Sequence, residues 1–306
     1  MIRYAIKRLL SILPTMLIVA TLVFILVRLV PGGPFDQDRA VPVEVLKQLN
    51  AKYHLSDPVW KQYLDWLWAL FSRGDLGPTI KYPNRTVNEI IGLSLPVSME
   101  LGSLAMLFAL SIGIPLGILG ATRQNTAVDT AAMATAMIGV SVPRFVLAPV
   151  LILAFSLKLY IFPVARWETW RHMILPVICA GLPMAAYIAR LTRAGMLEVI
   201  RSDFVRTARA KGLSERQVIW KHALRGGLLP VVSFLGPGFS GLLVGSLVVE
   251  KIFNIPGMGR YLVEAAQNRE YNLLVGVTLV YAFILLIANT IVDIAYAFLD
   301  PRVELR

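Results

Sequence analysis

Cysteine is almost missing from this chain: Cys179 is the only one in 306 residues, which excludes an internal disulfide and a thiolate metal site. Histidine is nearly as scarce. His54, His172 and His222 lie far apart, each in or beside a loop, and read as ordinary polar residues. No HExxH stretch occurs, which removes the common zinc protease motif. No lysine follows a glycine, so the phosphate loop in which Gly-Lys-Ser/Thr cradles a nucleotide is absent. If this protein uses ATP, another polypeptide hydrolyses it. Polar residues as a whole are too few for a soluble surface: 57% of the chain is hydrophobic and the mean hydropathy is +0.66. A soluble domain averages about 45–50% apolar, so the bilayer is the expected solvent. Acidic residues are outnumbered 30 to 19, giving a net charge of +11. Nucleic acid binders share that excess, but here it is concentrated in one loop and at the N-terminus, the pattern of membrane topology.

The hydrophobic runs predict an all-α polytopic membrane protein with six spans, at residues 9–27, 97–120, 131–157, 173–191, 228–249 and 273–299. A short basic start (Arg3, Lys7, Arg8) precedes the first run, and no small-residue cleavage site follows, so this run reads as a retained span with its N-terminus inside. Arg28 at its outer end is placed to snorkel. Pro31-Gly32-Gly33-Pro34 ends it, and a polar segment with balanced charge runs to Leu95. The chain thus divides into 1–30, an external segment 31–95, and a core 96–306. In the external segment Asp57-Pro58 reads as a cap and first-turn proline. Trp60, Tyr63, Leu64, Leu67 and Phe71 then share a helical face, with Trp66 and Trp68 nearby. Two readings stand: a helix lying on the outer membrane surface, or a small buried helix of an external subdomain. Asn84-Arg85-Thr86 matches a glycosylation sequon, a three-residue pattern that carries no weight alone.

In the core, Gly113-x-x-x-Gly117 and Gly241-x-x-x-Gly245 predict faces for close helix packing. The outer segment 250–271 contains IPGMGR as a turn. The third span contains Pro143-Arg144, with Arg144 about 20 Å along from Ala131 and so within the hydrocarbon. An intramembrane charge is expensive unless it faces protein or water, or bonds a carbonyl freed by the proline. Glu100, Arg144, Asn289 and Asp293 are accordingly the candidates to line a path. Gly238-Phe239-Ser240-Gly241 resembles the GxSG of intramembrane serine proteases, but no histidine follows His222 to act as a base. Ser240 reads more simply as a small residue at a helix contact.

The polar centre of the chain is the loop 192–227. Nine Lys/Arg between Arg190 and Arg225 stand against Glu198, Asp203 and Glu215, so the loop belongs in the cytoplasm, and six spans then place both termini there. A topology signal needs charge alone, and a solvated basic linker would serve as one. This stretch also carries local structure. Phe204, Val205 and Ala208 give one apolar face, Gly212 suits the left-handed end of a helix, and Ser214 with Gln217 forms a capping box for the next. A capped helix pair outside the membrane suggests a docking surface.

The spacing Arg206-Thr207-Ala208-x-x-x-Gly212, with Leu224 twelve residues after the glycine, resembles the EAA loop of ABC importer permeases. Arg206 and Thr207 depart from the Glu-Ala of that motif, and Arg225 stands where a proline is usual. RTARAKGL is the form of the peptide and nickel branch. PGGPF, AKYHL at 51–55, KQYL at 61–64, RQNT at 123–126, SVPRF at 141–145, the segment 250–271 and DPR at 300–302 are similar too, over essentially the whole chain. The likeness is greatest to the first permease subunit of oligopeptide importers. It implies a type I importer permease of the bacterial inner membrane, paired with a homologous second permease, two ATPases that bind ATP and Mg, and a periplasmic binding protein. It implies no cofactor on this chain. It implies that Asp203, Arg206, Thr207, Ala208, Ala210, Lys211, Gly212, Leu213, Ser214 and Gln217 belong to the coupling helix region lodged in an ATPase cleft. Peptides are the implied cargo, with nickel or another small solute as the alternative.

Overall fold

The computed structural model describes residues 2–30, 32–35, 43–82 and 84–299; the helix stop expected at Asp300-Pro301 and the DPR stretch lie outside them. Helix α1 (Ile2–Leu29) runs along the edge of a helical bundle. Only 22% of its spanning window is buried, against 56% for α7 (Trp170–Ile200), the central helix. Ile12, Ala20 and Phe24 of α1 face protein, while Leu17, Leu22, Ile25 and Leu26 stay bare. Arg28 at its outer end is held by protein. Its guanidinium lies 3.5 Å from the Phe24 ring centroid and donates to the Gln62 side chain at 3.2 Å.

The external segment holds α2 (Val43–Lys52) and α3 (Val59–Arg73). Pro58 itself occupies the cap position of α3, and the Asp57 carboxylate instead accepts from Lys61 Nζ at 2.9 Å. Then α4 (Val87–Thr122) begins ten residues before the expected 97. A reciprocal cap starts it: Thr86 Oγ1 accepts from the Glu89 N–H at 3.2 Å and the Glu89 carboxylate from the Thr86 N–H at 3.1 Å. Pro96 sits inside the helix, as membrane helices tolerate.

The expected continuous span 131–157 is broken. Helix α5 (Ala127–Ser141) ends before Pro143, because a residue preceding proline is pushed out of the helical region, and Val142 is extended at φ −92°, ψ 117°. Helix α6 (Arg144–Leu151) leaves at about 100° and runs on as a π-helix (Ile152–Lys158). After α7 come α8 (Asp203–Ala210), α9 (Glu215–Gln217), a π-helical turn (Val218–Ala223) and α10 (Leu224–Gly227). Helices α11 (Leu229–Gly245) and α12 (Leu247–Ile252) form one crossing. The IPGMGR stretch is only half a turn, since α13 (Met258–Asn268) starts within it; α14 (Tyr271–Leu299) closes the bundle. Among the described residues five helices or helix pairs are long and apolar enough to cross a membrane, and α5 with α6 makes a sixth if counted as one crossing.

The bundle is centred on α4 and α7, whose backbones nearly touch. A Cβ at Gly113 would lie 2.6 Å from the Ala185 carbonyl oxygen, one at Gly117 2.6 Å from that of Ala189, and one at Gly181 2.7 Å from that of Ala105. In lipid no hydrophobic gain drives helices together, so close packing of small residues must. The second glycine pair behaves differently. Gly241 faces open space, and Gly245 adjoins the Arg144 guanidinium; the close approach of α11 to α14 is made by Gly236 against Ala288 and Asn289. Gly117→Val should therefore lower stability in detergent by about 3 kcal/mol, as overpacking does. Gly241→Ala should leave the melting temperature unchanged. Equal losses from both would refute the seam.

Candidate functional site

The basic loop is folded onto the bundle. Val205, Ala208, Val218 and Ala223 are buried together against Met196 of α7 and Ala121 of α4. Phe204, expected on that same face, instead points outward at 54% exposure, with Leu213 and Trp220 also exposed. Gly212 has φ +79° and nothing within 4 Å of a built Cβ, so the backbone angle alone requires glycine there. Ser214 Oγ accepts from the Gln217 N–H at 3.4 Å and the Gln217 side chain from the Ser214 N–H at 3.2 Å. Across the break Arg209 grips Glu215 through two bonds of 2.8 and 3.2 Å, which hold the Glu215 carboxyl below the usual carboxylate range. Below, Arg193 of α7 makes two 2.7 Å bonds to Asp129 at the start of α5.

Of the ten loop positions singled out from sequence, Asp203, Arg206, Thr207, Ala210, Lys211, Gly212, Leu213, Ser214 and Gln217 are exposed and Ala208 is buried beneath them. Arg216, Gln217, Trp220 and Lys221 line a shallow groove beside this surface. Trp220, 58% exposed, was not among the sequence candidates; a tryptophan set between Arg216 and Lys221 in the basic loop was its signal.

The four membrane candidates do not converge. Glu100 accepts from Trp167 Nε1 at 2.9 Å, and Arg144 lies against Gly245. Asn289 and Asp293 instead share a crevice of about 280 Å³ between α1, α11 and α14, where Asp293 pairs with Arg8. Ser240 Oγ donates to the Gly236 carbonyl of its own helix at 3.1 Å. No group of three metal-ligating side chains gathers among the described residues.

Sequence reasoning missed Glu250, the fully buried carboxylate of α12. Ser98 Oγ of α4 donates to one of its oxygens at 2.8 Å, and Ser246 Oγ lies at 2.8 Å from the same oxygen and 2.7 Å from the Leu243 carbonyl, sharing its hydrogen between them. The other oxygen accepts the N–H of Gly259 at 2.8 Å and of Arg260 at 3.3 Å, while the Met258 N–H donates to Ser98 Oγ at 2.8 Å. A buried charge is tolerated only when bonded in this way. Two further acids of the segment 250–271 reach the same neighbour. Glu264 accepts from Tyr82 Oη at 2.6 Å, and Glu270 from the backbone N–H of Ile80 at 3.0 Å and of Lys81. Burial raises the Glu270 carboxyl above its ordinary value. Burial would raise Glu264 too, but the bonds from Tyr82, Arg260 and Lys251 prevail and hold it low. The three carboxylates thus fasten 250–271 to 80–98 at the end of the bundle away from α8. A lone Glu in an apolar helix, just before Gly257 and Gly259, was the available signal.

A membrane bundle with a rigidly seated basic helix pair at one end and a clamped cap at the other has the form of a transport subunit. Residues 113–305 match the binding-protein-dependent transport system inner membrane component family, and residues 1–94 match the N-terminal component of such proteins. The chain belongs to that family and is a multi-pass inner-membrane protein. It is 46% identical over 306 residues to the oligopeptide transport system permease protein OppB of Haemophilus influenzae, covering 99% of this chain and 100% of that one. It is 45% identical to the dipeptide transport system permease protein DppB of Bacillus subtilis, covering 100% and 99%. Among solved structures the fold resembles an inward-facing MetNI methionine ABC transporter (TM-score 0.59, 16% identity, 69% of this chain and 96% of that one). It also resembles an amino acid ABC transporter with histidines (TM-score 0.55, 14% identity, 69% and 94%).

Removing the Glu250 carboxylate takes the acceptor from the buried Ser98 hydroxyl and the Gly259 amide and from the part-buried Arg260 amide, and a buried donor left so costs about 1–3 kcal/mol. Glu250→Ala is therefore expected to speed hydrogen exchange at the Gly259 and Arg260 amides by at least about tenfold, while exchange in α8 stays unchanged. Unchanged exchange at those amides would show that the clamp does not hold the cap.

Proposed function

We propose that this chain is the permease subunit of an ATP-driven peptide importer and forms half of its membrane path. The observation that carries this reading is the end-to-end match, above 40% identity, to permeases named for oligopeptide and for dipeptide transport. The other half of the path would come from a homologous permease, the energy from two ATPases holding ATP and Mg, and the cargo from a periplasmic binding protein. The basic loop then lies in the cytoplasm with both termini, and the carboxylate-clamped cap faces the periplasm.

The exposed surface of α8 and α9, with Phe204, Leu213 and Trp220 among its basic residues, is what an ATPase cleft would grip. Its buried side rests on α7 through Met196, so movement of the docked helices passes into the central helix instead of being lost in a flexible linker. Closure of the ATPases would rotate α7 and with it α4, opening the path to the periplasm. A path that admits varied peptides discriminates weakly, and selection falls to the binding protein. Residues 31–95 add an external unit to the 96–306 core.

Uptake of defined di- and oligopeptides by proteoliposomes holding the chain with its operon partners tests this reading. ATP-dependent peptide uptake is the expected result; uptake of nickel complexes alone would move the chain to the metal branch. In the same assay Gly212→Val should leave the membrane level unchanged but lower ATPase co-purification or transport per ATP. The strain is on the order of 1–2 kcal/mol and sits outside the bilayer. Normal values for both would reduce the loop to a linker.

Arg144 is proposed to face the path where α6 meets α11. Arg144→Ala should cut transport several-fold with the complex still assembling. Loss of assembly would assign the side chain a packing role against Gly245.

A further inference from the structure

Helix α3 has three sectors where an ordinary packed helix has two. At about 100° per residue its apolar side chains cover an arc of roughly 200°. One half of that arc is spent on protein: Trp66 is buried, and Tyr63, Leu67 and Leu70 pack with it against α1 and its neighbours. The other half is bare, with Trp60 67% exposed, Leu64 54%, Trp68 73% and Phe71 67%. The remaining arc carries Lys61, Asp65 and Ser72, all exposed. A bare stripe of two tryptophans, a leucine and a phenylalanine beside a polar arc is too apolar to face water without a partner.

Its depth is fixed by α1. The Thr21 hydroxyl donates to the Leu17 carbonyl at 2.7 Å, so the 2.5 Å contact between Thr21 and Tyr63 is a bond donated by the tyrosine. Phe24 stacks near Tyr63 and Trp66 at centroid distances of 5.1 and 5.7 Å. Thr21 lies eight residues before the end of α1, about 12 Å below it along the axis. A helix tied there lies beside the membrane-spanning part of α1 and not above it. On the same helix Leu22, Ile25, Leu26 and Leu29 are bare, so the exposed stripe of α3 adjoins a surface already turned to lipid. Its polar arc is level with Arg28, which bonds Gln62.

We infer that α3 is an in-plane membrane helix. Trp60, Leu64, Trp68 and Phe71 enter the acyl region of the leaflet opposite the basic helices, and Lys61, Asp65 and Ser72 face water. The occupant is lipid, because the stripe continues the lipid-facing side of α1, contains no charge, and pairs indole rings with a polar edge as interfacial helices do. The inference rests on the chain spanning a membrane and not on its cargo, so a failed peptide assay leaves it standing.

The test uses the full chain co-expressed with its partner subunits and reconstituted in phosphatidylcholine nanodiscs. In a Cys179→Ala background, Trp68→Cys is labelled with bimane, and Asp65→Cys serves as the water-facing control. Replacing the lipid with its acyl-brominated form should cut emission from position 68 by about half and leave position 65 unchanged, while iodide should do the reverse. Leu64→Cys repeats the measurement if Trp68→Cys does not assemble. Quenching of position 68 by iodide and not by bromolipid would place the stripe in water and overturn the inference. Shielding from both quenchers would assign it to a partner protein and overturn it equally.

Discussion

The approach of α4 to α7 sets the terms for everything else in this bundle. Gly113 and Gly117 on one side and Gly181 on the other bring backbone to within a Cβ's reach of backbone at three points along the seam, with Ile188, Thr192 and Phe108 filling the space beside them. Such a contact allows little sliding and no repacking. Because α7 continues past the seam to Ile200, its end becomes the platform on which α8 and the π-helical turn sit, and Gly227 meets Met196 there. Asp129 and Arg193 add α5 to the same body. The basic helices, the central pair and the helix before the bend are one mechanical unit.

At the opposite end the chain uses charge where it used glycine in the middle. Glu250 ties α4 and α13 together through Ser98 and the Gly259 amide, while Glu264 and Glu270 hold the external segment, one through a tyrosine and one through bare backbone amides. Lipid offers no hydrophobic gain for bringing apolar faces together, so hydrogen bonds between segments join small-residue packing in fixing which parts of the chain meet.

How much of this was visible in the residues varies with the physics involved. Long apolar runs located the spans, because length and hydropathy are properties of each helix alone. Gly212 and the Ser214–Gln217 box were legible for the same reason: a left-handed angle and a cap are local. The bend at Pro143 was not, since proline inside α4, α7 and α11 is accommodated without a break, and only the neighbours decide which outcome holds. Gly241 looked like Gly113 in sequence, yet one faces space and the other a carbonyl. Glu250 was hidden because its partners lie on α4 and α13, far from it along the chain. Phe204 failed by a rotation: with only Val205 and Ala208 inward, the buried face of α8 is narrower than three adjacent apolar residues suggest.

The cap has a consequence for how the protein is made. Ser98 and Glu250 stand 152 positions apart, so α4 is synthesised long before its outer end has a partner. At usual ribosomal speeds the delay is on the order of ten seconds. During that interval the serine and the segment around Tyr82 lack their partner, while the third, fourth and fifth crossings are still being threaded. Closure requires the stretch 250–270 to arrive on the same side of the membrane as residues 80–98. A chain that inserted one of the intervening spans upside down would carry the three acids to the wrong face, and the bonds from Ser98, Tyr82 and the Ile80 amide could not form.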